Sequence, residues 1–319
     1  MKRGKTMNTT PSGSIVVAIG ADGYEAALQF AVAEARRTGR ELHLVHVLQL
    51  PAGEAYAGVY GGMLDTAKKT LDEALARATE VAGDDVAVTA ELVDNGWVVD
   101  NLTRKGDTGS TLVLQHRAMS RLKRIFTVSM VHGAAGKARV PVISVPEEWD
   151  PQREDKGFVT AAVQDPVEAP ALLRAAFEEA RSRDAELVVL HAWWLASGFD
   201  VVVVDTAVRD EWAARSREEL AAVLAPLEAE FPDVHVVVRV RHAPPVEAVL
   251  DAAEASDLLV LGRRHHLLPL GTHLGPVARA ALDHASCPVL ITPELAVVAV
   301  ATDEPAVAAP EIALDAAAG

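Results

Sequence analysis

Glu41-Leu42-His43-Leu44-Val45-His46 returns later in the chain as Glu186-Leu187-Val188-Val189-Leu190-His191. Leu112-Val113-Leu114 returns as Leu259-Val260-Leu261, and Pro141-Val142 as Pro288-Val289. The register slips by only a residue or two between these anchors, so the chain holds two copies of one unit. Each copy is about 130–140 residues long, the size of a globular domain rather than of a solenoid repeat. The division predicted is a disordered lead-in at 1–14, a first domain at 15–146, a linker at 147–156, a second domain at 157–293 and an acidic, alanine-rich tail at 294–319. Any site has to be sought twice.

Within each copy, short β-branched runs alternate with longer helical patterns, the signature of a parallel sheet covered on both faces. Five strands are predicted per half. In the first they lie near 14–19, 41–47, 87–92, 111–114 and 142–145, and in the second near 158–163, 186–192, 234–240, 258–261 and 289–292. Helices fill the gaps, as in 208–230, where Trp212, Leu220, Val223, Leu224 and Leu227 build one apolar face. The stretch 147–156 carries seven charged residues and reads as a linker. In such a sheet a ligand sits beyond the carboxyl ends of the strands where strand order reverses, so the loops after the first and fourth strands matter most.

Composition narrows the class. The net charge of −15 argues against a nucleic-acid partner, which needs a concentrated basic surface. The most apolar stretch, 187–204, is interrupted by His191 and Asp200, so no membrane span is expected. The opening residues lack the apolar run of an export signal, and a cytoplasmic location is the expectation. The single cysteine, Cys287, has no internal disulfide partner and reads as a buried residue entering a strand. Enzyme signatures are absent: there is no Gly-x-Ser-x-Gly, His-Glu-x-x-His or Cys-x-x-Cys, and Gly4-Lys5-Thr6 lacks the upstream glycine of a P-loop.

Phe177-Glu178-Glu179-Ala180, Leu190-His191-Ala192-Trp193-Trp194, Ser256 to Gly262 and His284-Ala285-Ser286-Cys287-Pro288-Val289 resemble the universal stress protein domain. The tandem arrangement is similar to the two-domain members of that family. The resemblance implies two Rossmann-like α/β domains of the HUP class, each a five-stranded parallel sheet with helices on both faces. It also implies a site for ATP. Members that bind it carry Gly, two residues, Gly, nine residues, Gly and then Ser or Thr after the fourth strand. There the glycines admit backbone amides to the phosphates and the last pair opens a helix. An Asp in the turn after the first strand contacts the nucleoside.

Carried onto this sequence, the motif falls on Gly262, His265, Gly275 and Pro276 in the second half, and on Gln115, Ala118, Val128 and Ser129 in the first. The turn Asp maps to Gln164 in the second half and to Gly20 or Asp22 in the first. Arg264 and Leu187 are carried over as further contacts. Pro276 lacks the hydroxyl and N–H that would face a phosphate, yet it is comfortable in the first turn of a helix. His265 would pair with a phosphate only when protonated. Arg117, Arg121, Lys123, Arg124, Arg263 and His266 supply cations near the same loops. A metal site from His265, His266 and His273 lacks a carboxylate or thiolate partner, so no metal is expected. His46 and His191 recur at matching strand ends, which predicts packing and an internal hydrogen bond.

Two functions stay open. One is a stress-response regulator, not an enzyme, that works through protein partners or self-association. In it the tandem domains form an intramolecular pseudo-dimer, with a homodimer possible, and the first domain has lost ATP binding. The other is an adenine-nucleotide sensor that uses Gly262 and Gly275. The apolar run 295–301 is expected to add a strand to a sheet edge or a partner.

Overall fold

The protein, described here from a computed structural model, is set out for residues 5–6, 10–21, 23–49, 60–116, 124–167, 169–194, 206–263 and 274–293. Both halves repeat one order of elements. The first runs β2 (Ile15–Ala18), α1 (Glu25–Thr38), β3 (Leu42–Val47), α2 (Tyr60–Ala82), β4 (Val88–Val93), α3 (Val98–Gly106), β5 (Thr111–His116), α4 (Arg124–Lys137) and β6 (Val142–Pro146). The second runs β7 (Phe158–Ala162), α5 (Pro170–Arg183), β8 (Glu186–Trp193), α6 (Thr206–Glu230), β9 (Val236–His242), α7 (Pro245–Glu254), β10 (Leu258–Gly262), α8 (Pro276–His284) and β11 (Val289–Thr292). These are the elements that the alternation of runs predicts, with ends moved by a few residues.

The lead-in departs from expectation. Lys5–Thr6 forms a short strand, β1, parallel to β4, with Lys5 opposite Thr89 and Thr6 opposite Ala90. A two-residue strand needs no apolar pattern because its ladder is made by the backbone alone, which is why composition did not reveal it.

All the strands join one sheet in the order β1-β4-β3-β2-β5-β6-β11-β10-β7-β8-β9. The pairing is parallel within each half. The halves meet edge to edge through an antiparallel β6–β11 ladder, Ile143 facing Leu290. This seam relates the halves by a pseudo-twofold axis and removes what would otherwise be two open sheet edges. It is the intramolecular pseudo-dimer.

Alternate strand residues feed two cores. Ile15, Val17, Leu42, Leu44, Leu258 and Val260 face the layer of α1, α2, α5 and α6, whereas Val16, Val45, Leu259 and Leu261 face α3, α4, α7 and α8. Both faces are buried, so the strands read as continuous apolar runs. α1 stops at Gly39, whose φ of 66° is left-handed, and its counterpart Asp184 ends α5 with φ 52°. Asp is one of the few side chains that tolerate that region.

The linker is tied down. The Trp149 ring packs edge-on against Phe30 at 5.3 Å, and the N–H groups of Lys156 and Gly157 donate to the Asp257 carboxylate at 2.9 and 2.7 Å. An ion pair also crosses between halves, from Arg183 Nη2 on α5 to Glu34 Oε2 on α1 at 2.7 Å. The tail 294–319, with its apolar run 295–301, lies outside the described residues.

Candidate functional site

Strand order reverses at β2, which lies between β3 and β5, and at β7, which lies between β8 and β10. A cavity opens beyond the carboxyl ends of the strands at each of these points, as an α/β sheet dictates. The first, about 310 Å³, is lined by Ile19, Gly20, His46, Leu48, Gln115 and Val131 among others. The second, about 410 Å³, is lined by Val163, Gln164, His191, Trp193, Gly262, Gly275 and Pro276 among others. Both fall within the range of small-molecule sites.

The repeated histidines do what their recurrence predicts. His46 Nδ1 lies 2.7 Å from the Ile19 carbonyl, and His191 Nδ1 lies 3.0 Å from that of Val163. Each ring therefore donates from Nδ1 to the end of the neighbouring first strand and, when neutral, keeps Nε2 as an acceptor.

The two sites differ in how their helix ends are used. In the first half Gln115, at the end of β5, sends its carboxamide Oε1 to the N–H groups of Ala26 at 3.0 Å and Ala27 at 3.4 Å. These are among the free donors of the first turn of α1, whose own cap residue, Tyr24, supplies no side-chain hydrogen bond. Gln115 thus acts as a long-range cap. In the second half its counterpart is Gly262, and α5 has no side-chain cap from Ala169.

The helix after the fourth strand differs as well. α8 begins at Pro276, with Gly275 as an extended cap residue at φ −69°, ψ 170°. Pro276 occupies the first helical position, where its missing N–H costs nothing. The N–H groups of Val277 and Ala278 that follow have no intrahelical acceptor, and both residues line the cavity. In the first half α4 begins at Arg124, so Val128 and Ser129 lie beyond its first turn. Their amides are consumed within the helix, and Ser129 does not open it as the motif requires.

Gln164, Gly262, Gly275 and Pro276 are thus brought around one cavity. Leu187 is not among them. It is the second residue of β8, paired with Val159 and Val236 and fully buried, whereas the cavity is lined by the carboxyl end of the same strand from Leu190 to Trp194. A parallel strand offers only that end to a ligand, so the carry-over of Leu187 fails on strand direction. Arg264, His265, His266 and His273 lie outside the described residues, as do Asp22, Arg117, Ala118, Arg121 and Lys123. Gly20 bridges to Gly23 in the turn after β2.

Two tryptophans that motif reasoning passed over, Trp193 and Trp194, line the second cavity. Trp193 ends β8 and Trp194 follows it, where the first half has Leu48 and Gln49. The His242 ring lies 4.2 Å from Trp193 and 4.9 Å from Trp194, and Trp212 of α6 lies 5.1 Å from Trp193. The Trp-Trp pair was visible in the sequence, but its partners come from other elements.

Comparison with known proteins agrees with this architecture. The model of the family described as "Universal stress protein family" matches residues 12–146 and 159–293. The chain therefore belongs to the universal stress protein family, with two such domains in tandem. A universal stress protein of Mycobacterium tuberculosis is 26% identical over 299 residues, covering 86% of this chain and 94% of the relative. One of Mycolicibacterium smegmatis is 24% identical over 277 residues, covering 84% and 92%. The crystal structure of a universal stress protein from Archaeoglobus fulgidus superposes with a TM-score of 0.62 at 18% identity, covering 89% of this chain and 98% of that one, and so shares the fold. No helix among the described residues is long and apolar enough to cross a membrane.

Proposed function

We propose that this protein is a stress-response regulator of the universal stress type, not an enzyme, that acts through protein contacts and whose first half does not take ATP. The observation that carries the reading is Gln115, which lines the first cavity where the motif has a glycine and whose carboxamide is held by the N–H groups of Ala26 and Ala27 in the first turn of α1. The early start of α4 supports it, because amides that would meet a phosphate are already used within the helix.

One observation favours a second reading, an adenine-nucleotide sensor in the second half. Gly262 keeps its place, and the first turn of α8 stays open beside the cavity. Calorimetric titration of the full chain with Mg-ATP tests both. The first reading expects no binding, and saturable binding at one or two per chain would sink it. The second expects one site per chain, weakened at least tenfold by Gly262→Val.

A further inference from the structure

We propose that the outer edge of β9 is a docking strand for the apolar run 295–301 of a second copy of this chain, which adds to the sheet as a further parallel strand. Neither cavity takes part, since no residue of β9 lines either. β4 and β9 are counterparts, each lying farthest from the seam among the five strands that its half repeats. Val88 of β4 stands opposite Leu42, and Val236 of β9 stands opposite Leu187. Lys5 and Thr6 cover the outer edge of β4, where Val88, Ala90, Glu91 and Val93 are buried. β9 has no partner strand on that side among the described residues, and the matching positions, Val236, Val238, Arg239 and Arg241, are half-buried or exposed. The linker before β7 does not serve as the lead-in does, because Trp149 packs on Phe30 and the N–H groups of Lys156 and Gly157 are held by Asp257.

β9 offers a long edge. Val236–His242 contains four valines and no proline, and an unpaired strand of this kind presents a row of N–H and C=O groups to any extended chain. Its charges select the occupant. Arg239 and Arg241 stand exposed in a chain of net charge −15. Arg239 has no ion-pair partner among the described residues, whereas its counterpart Glu91 is paired with Lys105 at 2.6 Å. Leu295 to Ala301 is an apolar, valine-rich run closed by Asp303 and Glu304, in a tail without a Lys or Arg. Both segments pass from valines to charge along the chain. In a parallel ladder, the sense of β1 on β4, the valines therefore meet and the tail carboxylates reach the arginines. Pairing β9 with the β9 of another copy would instead bring the arginines of both onto one ladder. The occupant comes from another copy because the chain's own tail falls short. From β11 to a place outside β9 is about 24 Å of inter-strand spacing, which takes about seven extended residues. β11 ends at Thr292, so the run 295–301 would be spent in the crossing.

The test is sedimentation of the full chain over a wide range of concentration, where the parent is expected to associate reversibly. Arg239→Glu with Arg241→Glu reverses the edge, and Asp303→Arg with Glu304→Arg reverses the tail. Each double variant alone is expected to associate at least tenfold more weakly than the parent. Mixed in equal amounts the two are expected to recover the parent's association, because the unchanged tail then fits the unchanged edge and the reversed tail fits the reversed edge. Val297→Pro with Val298→Pro removes the N–H of whichever residue faces β9. That pair should also weaken association at least tenfold while the melting temperature stays at the parent value, since both residues lie beyond β11. Should the reversed edge fail to fold, the two tail variants decide. A parent that is monomeric at every concentration, association indifferent to the proline pair or to the reversed tail, or folded reversed variants that do not recover on mixing would overturn the proposal. Each of these results would leave the regulator reading standing, because that reading turns on the first cavity and not on β9.

Discussion

Arg183 is the place to test whether the two halves are one energetic unit. Its guanidinium joins the halves, meeting Glu34 Oε2 of the first half at 2.7 Å and Glu179 of its own helix, while Arg37 shares the same Glu34 oxygen at 2.7 Å. The Arg183 and Glu34 side chains are 9% and 6% exposed, so the pair is held away from solvent screening. Burial raises the Glu179 carboxyl above the ordinary range, and Arg183 is the first of the groups that pull it back. Arg183→Ala strands Glu179 without that cation and leaves Glu34 with Arg37 alone. Removing one partner of a buried pair costs about 3–5 kcal/mol, which moves a urea midpoint down by roughly 1–2 M. The sign with pH follows. In the variant the Glu179 carboxyl is raised further above its unfolded value, so the protonated form is favoured by folding and the deficit shrinks as pH falls through the folded value. Urea unfolding at pH 7 and pH 4.5 reads both effects, with Arg174→Ala, whose pair with Glu230 is about half exposed, as the control expected to leave the midpoint in place. A loss below about 1 kcal/mol at pH 7, the value of a surface pair, would refute the reasoning.

Burial pushes the His116 imidazole, bonded through Nδ1 to Ser144 Oγ at 2.8 Å, down from 6.5 to about 4. The unfolded chain then takes up a proton between those values that the native protein does not. Stability contributed by the neutral ring is complete above pH 6.5 and lost as pH falls towards 4, by at most about 3 kcal/mol. His116→Gln should flatten the urea-stability profile by that amount in this window, and a profile as steep as the parent's would contradict it. Cys287 is fully buried ahead of β11, and burial pushes its thiol up to about 12. A maleimide should label it at pH 8 only at the rate of unfolding; stoichiometric labelling of the native protein within minutes would contradict this.

The fold was legible because both faces of the sheet are buried. Runs such as Leu258-Leu259-Val260-Leu261 cannot be exposed on either side, and their recurrence in two registers marks two domains. The repeat itself carries no sign of the β6–β11 seam, since pairing between edge strands of different halves is made by backbone groups and by the shape of the two sheets. β1 escaped for the same reason. Gly262, Gly275, Pro276 and Gln164 line one cavity because spacing along the chain survives even where residue types change. Leu187 was misplaced because it opens β8, whereas in a parallel sheet the carboxyl ends of the strands face the ligand crevice. The sequence identified Gln115 as a replaced glycine, but the donors it caps belong to a helix far away in the chain. The ring row shows the same limit: two adjacent tryptophans are visible, whereas their apposition to His242 and Trp212 depends on tertiary packing.

The pseudo-twofold relation turns that asymmetry into a controlled experiment. Gly262 stands where Gln115 stands, and a Cβ built on it would lie 3.2 Å from Leu172 Cδ1, in the first turn of α5. Ala171 and Leu172 are the counterparts of Ala26 and Ala27, so Gly262→Gln should carry its carboxamide to the same two helical positions in the second half. The contact with Leu172 is made by the end of a side chain, which needs to give by only a few tenths of an ångström. Capping by a side-chain oxygen contributes about 1 kcal/mol, enough to offset that adjustment. The variant is therefore expected to melt within a few degrees of the parent. At the same time it should weaken whatever small-molecule binding the second cavity shows, because a side chain then stands where Gly262 lines that cavity. The reciprocal Gln115→Gly should lower the melting temperature by a few degrees through loss of the cap. Binding in the second cavity that Gly262→Gln leaves undiminished in a folded variant would show that a glycine at this position is not what separates an open site from a closed one.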